Sequence, residues 1–165
     1  MPTSPRPRRA AAEPAPDVRW LDADEMATWL PFMRVLHLLP QQLDRQLREH
    51  SGINHTYYMI MVTLSAAPDR ETSLGALAHA VGMIPSRLTH ALGSLEGRGW
   101  VVRRPSDTDR RVQLARLTDD GMHALEQAAP GHVEEVRRSV FDLLDRSDLA
   151  HLRRIAEKLA APFAD

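Results

Sequence analysis

The chain has 165 residues, enough for one domain with a proper core or a small domain with helical additions, and too few for two full domains. It contains no cysteine, which excludes a disulfide framework, a thiolate zinc site and a cysteine redox switch. The net charge of -1 favours no partner by itself, and no apolar stretch approaches the length that spans a membrane, so a cytoplasmic protein without membrane contact is expected.

Residues 1–18 open on repeated prolines and small residues, carry arginines, and lack the apolar run of a signal peptide. They read as a disordered N-terminal tail, and residues 19–165 as a single domain. Asp22 followed by Glu25 fits a capping box at the start of a long helical pattern. Met26, Leu30, Met33, His37, Leu43 and Leu47 lie near one stripe of it, and Gly52 is its stop. Pro31 and Pro40 each remove an amide donor inside that pattern, which predicts kinks or a split helix.

Asn54 caps a second predicted helix, His55 to Ala66, with Tyr57, Ile60, Met61 and Leu64 as its apolar face and Pro68 and Asp69 closing it. A third starts at Thr72 or Ser73, turns Leu74, Leu77, Ala78 and Val81 inward, and stops at Gly82. A short turn leads to a fourth at Pro85, so that helix, glycine turn and helix make the helix-turn-helix signature. In the fourth helix Leu88, Ala91, Leu92 and Leu95 share the inner face. Ser86, His90, Gly93 and Gly97 lie opposite, flanked by Arg87, Thr89 and Ser94; the two glycines suit either a close backbone approach or an open surface.

Gly99 ends that helix, and Trp100 to Arg104 reads as a strand. Pro105 to Asp109 is turn-rich, and Val112 to Leu117 returns as a strand with Val112 and Leu114 on one face. Thr118 with Asp119 and Asp120 starts a helix carrying Met122, Leu125 and Ala129, which is expected to kink or break at Pro130 and Gly131 before Val133, Val136, Val140, Leu143 and Leu144. Ser147 caps the last helix, whose apolar positions are Leu149, Leu152, Ile155, Ala156 and Leu159.

Charge is unevenly shared along this order. From Ile84 to Arg116 seven arginines (87, 98, 103, 104, 110, 111 and 116) stand against Glu96, Asp107 and Asp109, so the segment carries +4 and the remainder -5. A basic segment on an acidic body is the footprint of a polyanion binder. A helix followed by an arginine-tipped strand pair suits the major groove of double-stranded DNA and the groove beside it. The fold class is therefore mainly α with a small β-wing: a winged helix-turn-helix part at about 54–117, with dimerisation helices at about 21–51 and 118–161. The terminal helices hold more apolar surface than a small winged part needs. Trp20, Trp29, Val140, Leu144, Leu152, Ile155 and Leu159 are candidates for burial against a second copy in a two-fold homodimer.

The run from Leu77 to Gly121, with D-T-D-R-R in the wing and L-T-D-D-G at its exit, resembles the MarR-type (multiple antibiotic resistance) winged-helix transcriptional regulators. The resemblance implies a homodimer with interlocked terminal helices, usually a repressor, released in many members by a small, often aromatic, ligand between the winged part and the dimer helices. Ile84 stands where a capping serine is common, which weakens the start of the reading helix, and Pro31 and Pro40 can reshape the ligand cleft.

The expected DNA contacts are Ser86, Arg87, Thr89 and His90 in the major groove with Ser94 on the flank. Arg110 or Arg111 enters the minor groove, oriented by Asp109, while Arg103 and Arg104 either bind phosphates or face solvent. Met33, His37, Tyr57 and Met61 are the candidates for a small-ligand cleft. No cofactor is expected, and no nucleophile motif, phosphate loop or H-E-x-x-H supports an enzyme. Two rivals remain at this point: a zinc-responsive regulator of the same fold, since histidines and carboxylates bind zinc without cysteine, and a winged-helix module that binds protein instead of DNA.

Overall fold

The computed structural model describes residues 18–163, so the predicted tail lies, apart from its last residue, outside the described residues. The described chain is mostly helical with one small antiparallel sheet, in the order α1 (Ala23–Ser51), α2 (His55–Ala66), β1 (Glu71–Ser73), α3 (Leu74–Ala80), α4 (Pro85–Gly97), β2 (Val101–Pro105), β3 (Gln113–Leu117), α5 (Asp119–Ser139) and α6 (Arg146–Ala160). It resolves into two compact units, one ending at Val35 and the other beginning at Leu36.

Local chemistry sets most of the helix ends. The Asp22 carboxylate accepts from the Glu25 amide at 2.8 Å while the Glu25 carboxylate accepts from the Asp22 amide at 3.0 Å, the reciprocal box that starts α1. Helix α1 is not split at Pro31 or Pro40: its assignment is continuous from Ala23 to Ser51. Each proline removes one donor, and the helical ladder on either side is long enough to continue past the gap. The Asn54 side chain accepts from the Tyr57 amide, Ser73 from that of Ala76 and Thr118 from that of Gly121, capping α2, α3 and α5. Gly52, Gly82 and Gly99 take φ of 65°, 64° and 74° where α1, α3 and α4 stop, a conformation that glycine adopts without strain.

Three further expectations need correction. Helix α5 runs unbroken through Pro130 and ends instead at Val140, with φ -134° and ψ -67°. Buried Leu125 and Ala128 before the proline, and His132 and Glu135 after it, anchor both halves of the helix, so packing overrides the local breaker. The last helix is capped by Asp145, not Ser147: Asp145 and Asp148 exchange backbone and side-chain bonds, satisfying two orphan amides at once. In α2 the buried tyrosine is Tyr58, at 6% exposure, while neighbouring Tyr57 is half-buried.

The sheet has the order β1-β3-β2, with β3 paired antiparallel to both neighbours. Ala115 and Leu117 are the buried positions of β3 and form its inward face, while Leu114 lies on the opposite one. The core joins Leu47 and Ile53 to Ile60, Met61 and Leu64 of α2, Leu77 of α3, the four apolar residues of α4, Val101 of β2 and Leu125 of α5. Burying each large aliphatic side chain contributes about 1.5 to 3 kcal/mol. This inner attachment fixes α4 with its opposite face outward.

Candidate nucleic-acid interface

Helix α4 is anchored by Leu88, Ala91, Leu92 and Leu95, all buried, and this leaves Ser86, Arg87, Thr89 and His90 exposed with Ser94 half-buried. The Thr89 hydroxyl donates to the Pro85 carbonyl at 2.9 Å, and that of Ser94 to the His90 carbonyl at 3.4 Å. Those two donors are spent on the helix itself, leaving their oxygens as acceptors. Among the described residues, no hydrogen bond or ion pair occupies the side chains of Ser86, Arg87 or His90. A Cβ placed on Gly93 or Gly97 meets nothing within 4 Å, so the outer surface of α4 stays low and open along its length. At its start Ile84 offers no side-chain cap and Pro85 has no amide to satisfy.

The wing is β2, a turn and β3. Within the turn the Ser106 amide donates to the Val112 carbonyl at 2.8 Å and the Val112 amide to the Asp109 carbonyl at 2.9 Å. Asp109 orients Arg111: one carboxylate oxygen accepts from the Arg111 amide at 3.0 Å and from Nε at 3.1 Å, the other from Nη2 at 3.0 Å. Those bonds hold the Asp109 carboxyl below its ordinary range. Arg110 is exposed and unpaired among the described residues.

Arg103 and Arg104 are both held by carboxylates. Arg103 donates to Glu96 of α4, which keeps the Glu96 carboxyl low. Arg104 makes a two-pronged bond to Glu71 of β1, at 2.8 and 2.9 Å, and a third to Asp107 at 2.9 Å. Arg98 donates to the Gly52 carbonyl at 3.4 Å and lies 4.8 Å over the Trp100 ring, a cation–π pair at the foot of the wing. Of the seven arginines in the segment, Arg87, Arg110 and Arg116 are unpaired among the described residues. Sequence reasoning misses Glu71 because its strand is three residues long and forms only by pairing with β3. It reads Glu96 as charge alone; the place of Glu96 seven residues before Arg103 is the available signal.

The residues named for a ligand cleft differ in burial. Met61 is fully buried in the core, Met33 is half-buried and His37 exposed. Tyr57 lines a groove of about 410 Å³ whose other walls include Thr56, Met83, Ser86, Arg87 and His90. The apolar residues named for dimerisation are largely open: Trp20 is 82% exposed, Trp29, Leu152, Ile155 and Leu159 are exposed, and Val140 and Leu144 are half-buried. No group of three or more His, Asp or Glu among the described residues is arranged to hold a metal ion, which leaves the zinc-responsive alternative without a site there. No described helix is long and apolar enough to cross a membrane.

A MarR family model matches residues 53–112, from the start of α2 to the wing turn. The structure of Sco3205, a MarR family transcriptional regulator from Streptomyces coelicolor solved in complex with DNA, is 39% identical, covers 88% of this chain and 91% of that one, and superposes with a TM-score of 0.84. AbsC, a MarR family regulator from the same organism, is 34% identical over 87% of this chain and 99% of its own, with a TM-score of 0.80. Transcriptional repressor MprA of Escherichia coli K12 is 28% identical over 126 residues, or 75% of this chain and 71% of MprA. With its winged sheet, outward reading helix and these likenesses along most of its length, the chain belongs to the MarR family of transcriptional regulators, which are not enzymes.

Proposed function

We propose that the chain binds double-stranded DNA as a homodimer, placing α4 in the major groove and the wing at the adjacent minor groove, and represses transcription until a small ligand releases it. The observation that carries this reading is the outer face of α4, where Arg87 stands exposed and unpaired between Ser86 and His90. An open guanidinium in that place can donate two bonds to one guanine, worth about 1 to 3 kcal/mol of discrimination. Arg110, free at the wing tip, supplies the minor-groove contact, with Arg111 braced by Asp109 beside it. Sco3205 was solved with DNA and MprA is a repressor, and both support extending these roles to this chain.

The homodimer rests on α6, fifteen residues long with none buried, and on the exposure of Trp20 and Trp29. Two-fold pairing sets two copies of α4 to half-sites about one DNA turn apart. For the effector we propose a small, aromatic molecule, with Tyr57, which lines the groove beside α4, as a candidate contact.

A mobility shift with the protein's own upstream region, repeated at rising salt, tests the reading. Arg87→Ala is expected to lose about 1 to 3 kcal/mol of selectivity between the operator and unrelated DNA. Arg110→Ala with Arg111→Ala is expected to weaken binding to every sequence and to flatten the salt dependence by up to about 0.9 in log-log slope for each phosphate the variant no longer touches. Undiminished affinity and selectivity in the Arg87 variant would remove the base-reading role.

A further inference from the structure

Strand β2 carries two consecutive arginines, and consecutive residues of a strand point to opposite faces of the sheet. Arg103 therefore reaches inward to Glu96, in the last turn of α4, and the two side chains are 30% and 29% exposed. Arg104 reaches outward across the sheet to Glu71, whose side chain is 15% exposed. The two strands joined in this way are not neighbours: β3 lies between β1 and β2. Glu71 and Val102 share Arg116 of β3 as their cross-strand partner, so Arg104 spans over β3 to the carboxylate. Strand β1 passes directly into α3, with Ser73 as the helix cap.

We propose that Glu71 and Glu96 are positioning residues for DNA recognition, which set the pitch of the wing against the reading helix by occupying Arg104 and Arg103 and keep both arginines off the phosphates. This rests on the DNA-binding reading above. The Glu96 tie joins β2 to α4 itself, and the Glu71 tie joins β2 to the strand that feeds the helix-turn-helix. Together they fix from both faces of the sheet where Arg110 stands relative to Arg87. A fork of two parallel bonds gives Arg104 a defined direction as well as attraction. A wing held before contact loses less freedom on binding, and that benefit goes to the sequence whose groove matches its pitch. An arginine already neutralised by a carboxylate displaces no counterion from DNA. The ties therefore favour selectivity over general adhesion.

The test compares two probes, the tightest duplex recovered from a randomised library and a random-sequence duplex of equal length, across a salt series. Glu71→Gln is expected to keep its helical circular dichroism while its preference for the selected duplex falls about fivefold, the scale set by a partly exposed ion pair. Its salt slope on the random duplex should steepen by about 0.9, because the released Arg104 gains a phosphate. Glu96→Gln should do the same through Arg103. Exchange of the pair, Glu71→Arg with Arg104→Glu, should return both preference and slope to wild type. A Glu71→Gln protein that melts lower but keeps its preference and slope would show a tie that serves stability alone and overturn the proposal, as would an exchanged pair that restores neither. Wild-type protein that binds neither duplex sinks the DNA reading and both roles with it; wild-type protein that binds while the variants match it sinks the positioning role alone.

Discussion

His132 is 7% exposed, its ring 4.3 Å from that of Tyr58 and 5.6 Å from that of His55, and its Nδ1 is buried without a protein hydrogen-bond partner. Oε1 of Gln46, on α1, is in the same condition. Burial lowers the pKa of both histidines, and the charge of His55 presses that of His132 further down. Glu135 on α5 pulls His132 the other way, as Asp44 on α1 does for His55. Lowered values mean that the unfolded chain takes up protons, near the ordinary histidine value of about 6.5, which the folded chain refuses. Stability from this pair is therefore complete above about pH 6.5 and declines as pH falls below it. A melting temperature followed from about pH 8 to about pH 5.5 should drop over the lower part of that range, and His132→Phe should flatten the drop; an equal drop in the variant would clear His132 of the effect. None of this is visible in the sequence, where His132 is one of the chain's eight histidines and lies in an ordinary amphipathic pattern. Clustering of arginines is legible there, but which of them are occupied depends on carboxylates that folding delivers, as Glu71 is delivered to Arg104 from 33 residues away.

Between the sheet and α5 the chain makes a joint from three hydrogen bonds, one local and two reaching back to the start of the wing. The Thr118 hydroxyl donates to the Gly99 carbonyl at 2.7 Å and accepts from the Gly121 amide at 3.0 Å, while the Thr118 amide donates to the Trp100 carbonyl at 3.0 Å. Gly121 must be glycine for this to close, because a Cβ there would lie 2.2 Å from the Trp100 carbonyl oxygen and 2.7 Å from Leu117 Cδ1. Gly121→Ala is expected to cost about 1 to 3 kcal/mol by overpacking. At about 2 to 4 °C per kcal/mol for a chain of this size, a thermal melt should register it, and a wild-type midpoint would refute the tight fit. Where an element is written in its own few residues, the sequence reading and the structure agree: Asn54 and Thr118 as caps, Gly99 as a stop, Leu88 to Leu95 as the buried face of α4. Where distant packing decides, they part. Pro130 looks like a breaker until its helix is seen held on both sides, and β1 has no pattern of its own before β3 pairs with it.

For the molecule as a whole, a chain that leaves α6 without a single buried residue among the described ones has apolar surface to place elsewhere. On the homodimer reading, Leu152→Glu with Ile155→Glu should shift sedimentation from a dimer toward a monomer while helical circular dichroism persists. A double variant that stays dimeric would move the interface off α6. The family resemblance is carried by the reading helix and wing; on the homodimer reading, the partner of the terminal helices lies outside any single chain and so outside its sequence pattern. The pairing of wing arginines with carboxylates then bears on how such a regulator would find its site. Arg103, Arg104 and Arg111 are paired with carboxylates, so the basic segment keeps Arg87, Arg98, Arg110 and Arg116 without an acidic partner among the described residues. On the DNA-binding homodimer reading, weaker adhesion to ordinary sequence shortens each stop along the chromosome, so grip is traded for speed of search and the match between two half-sites decides where the protein stays.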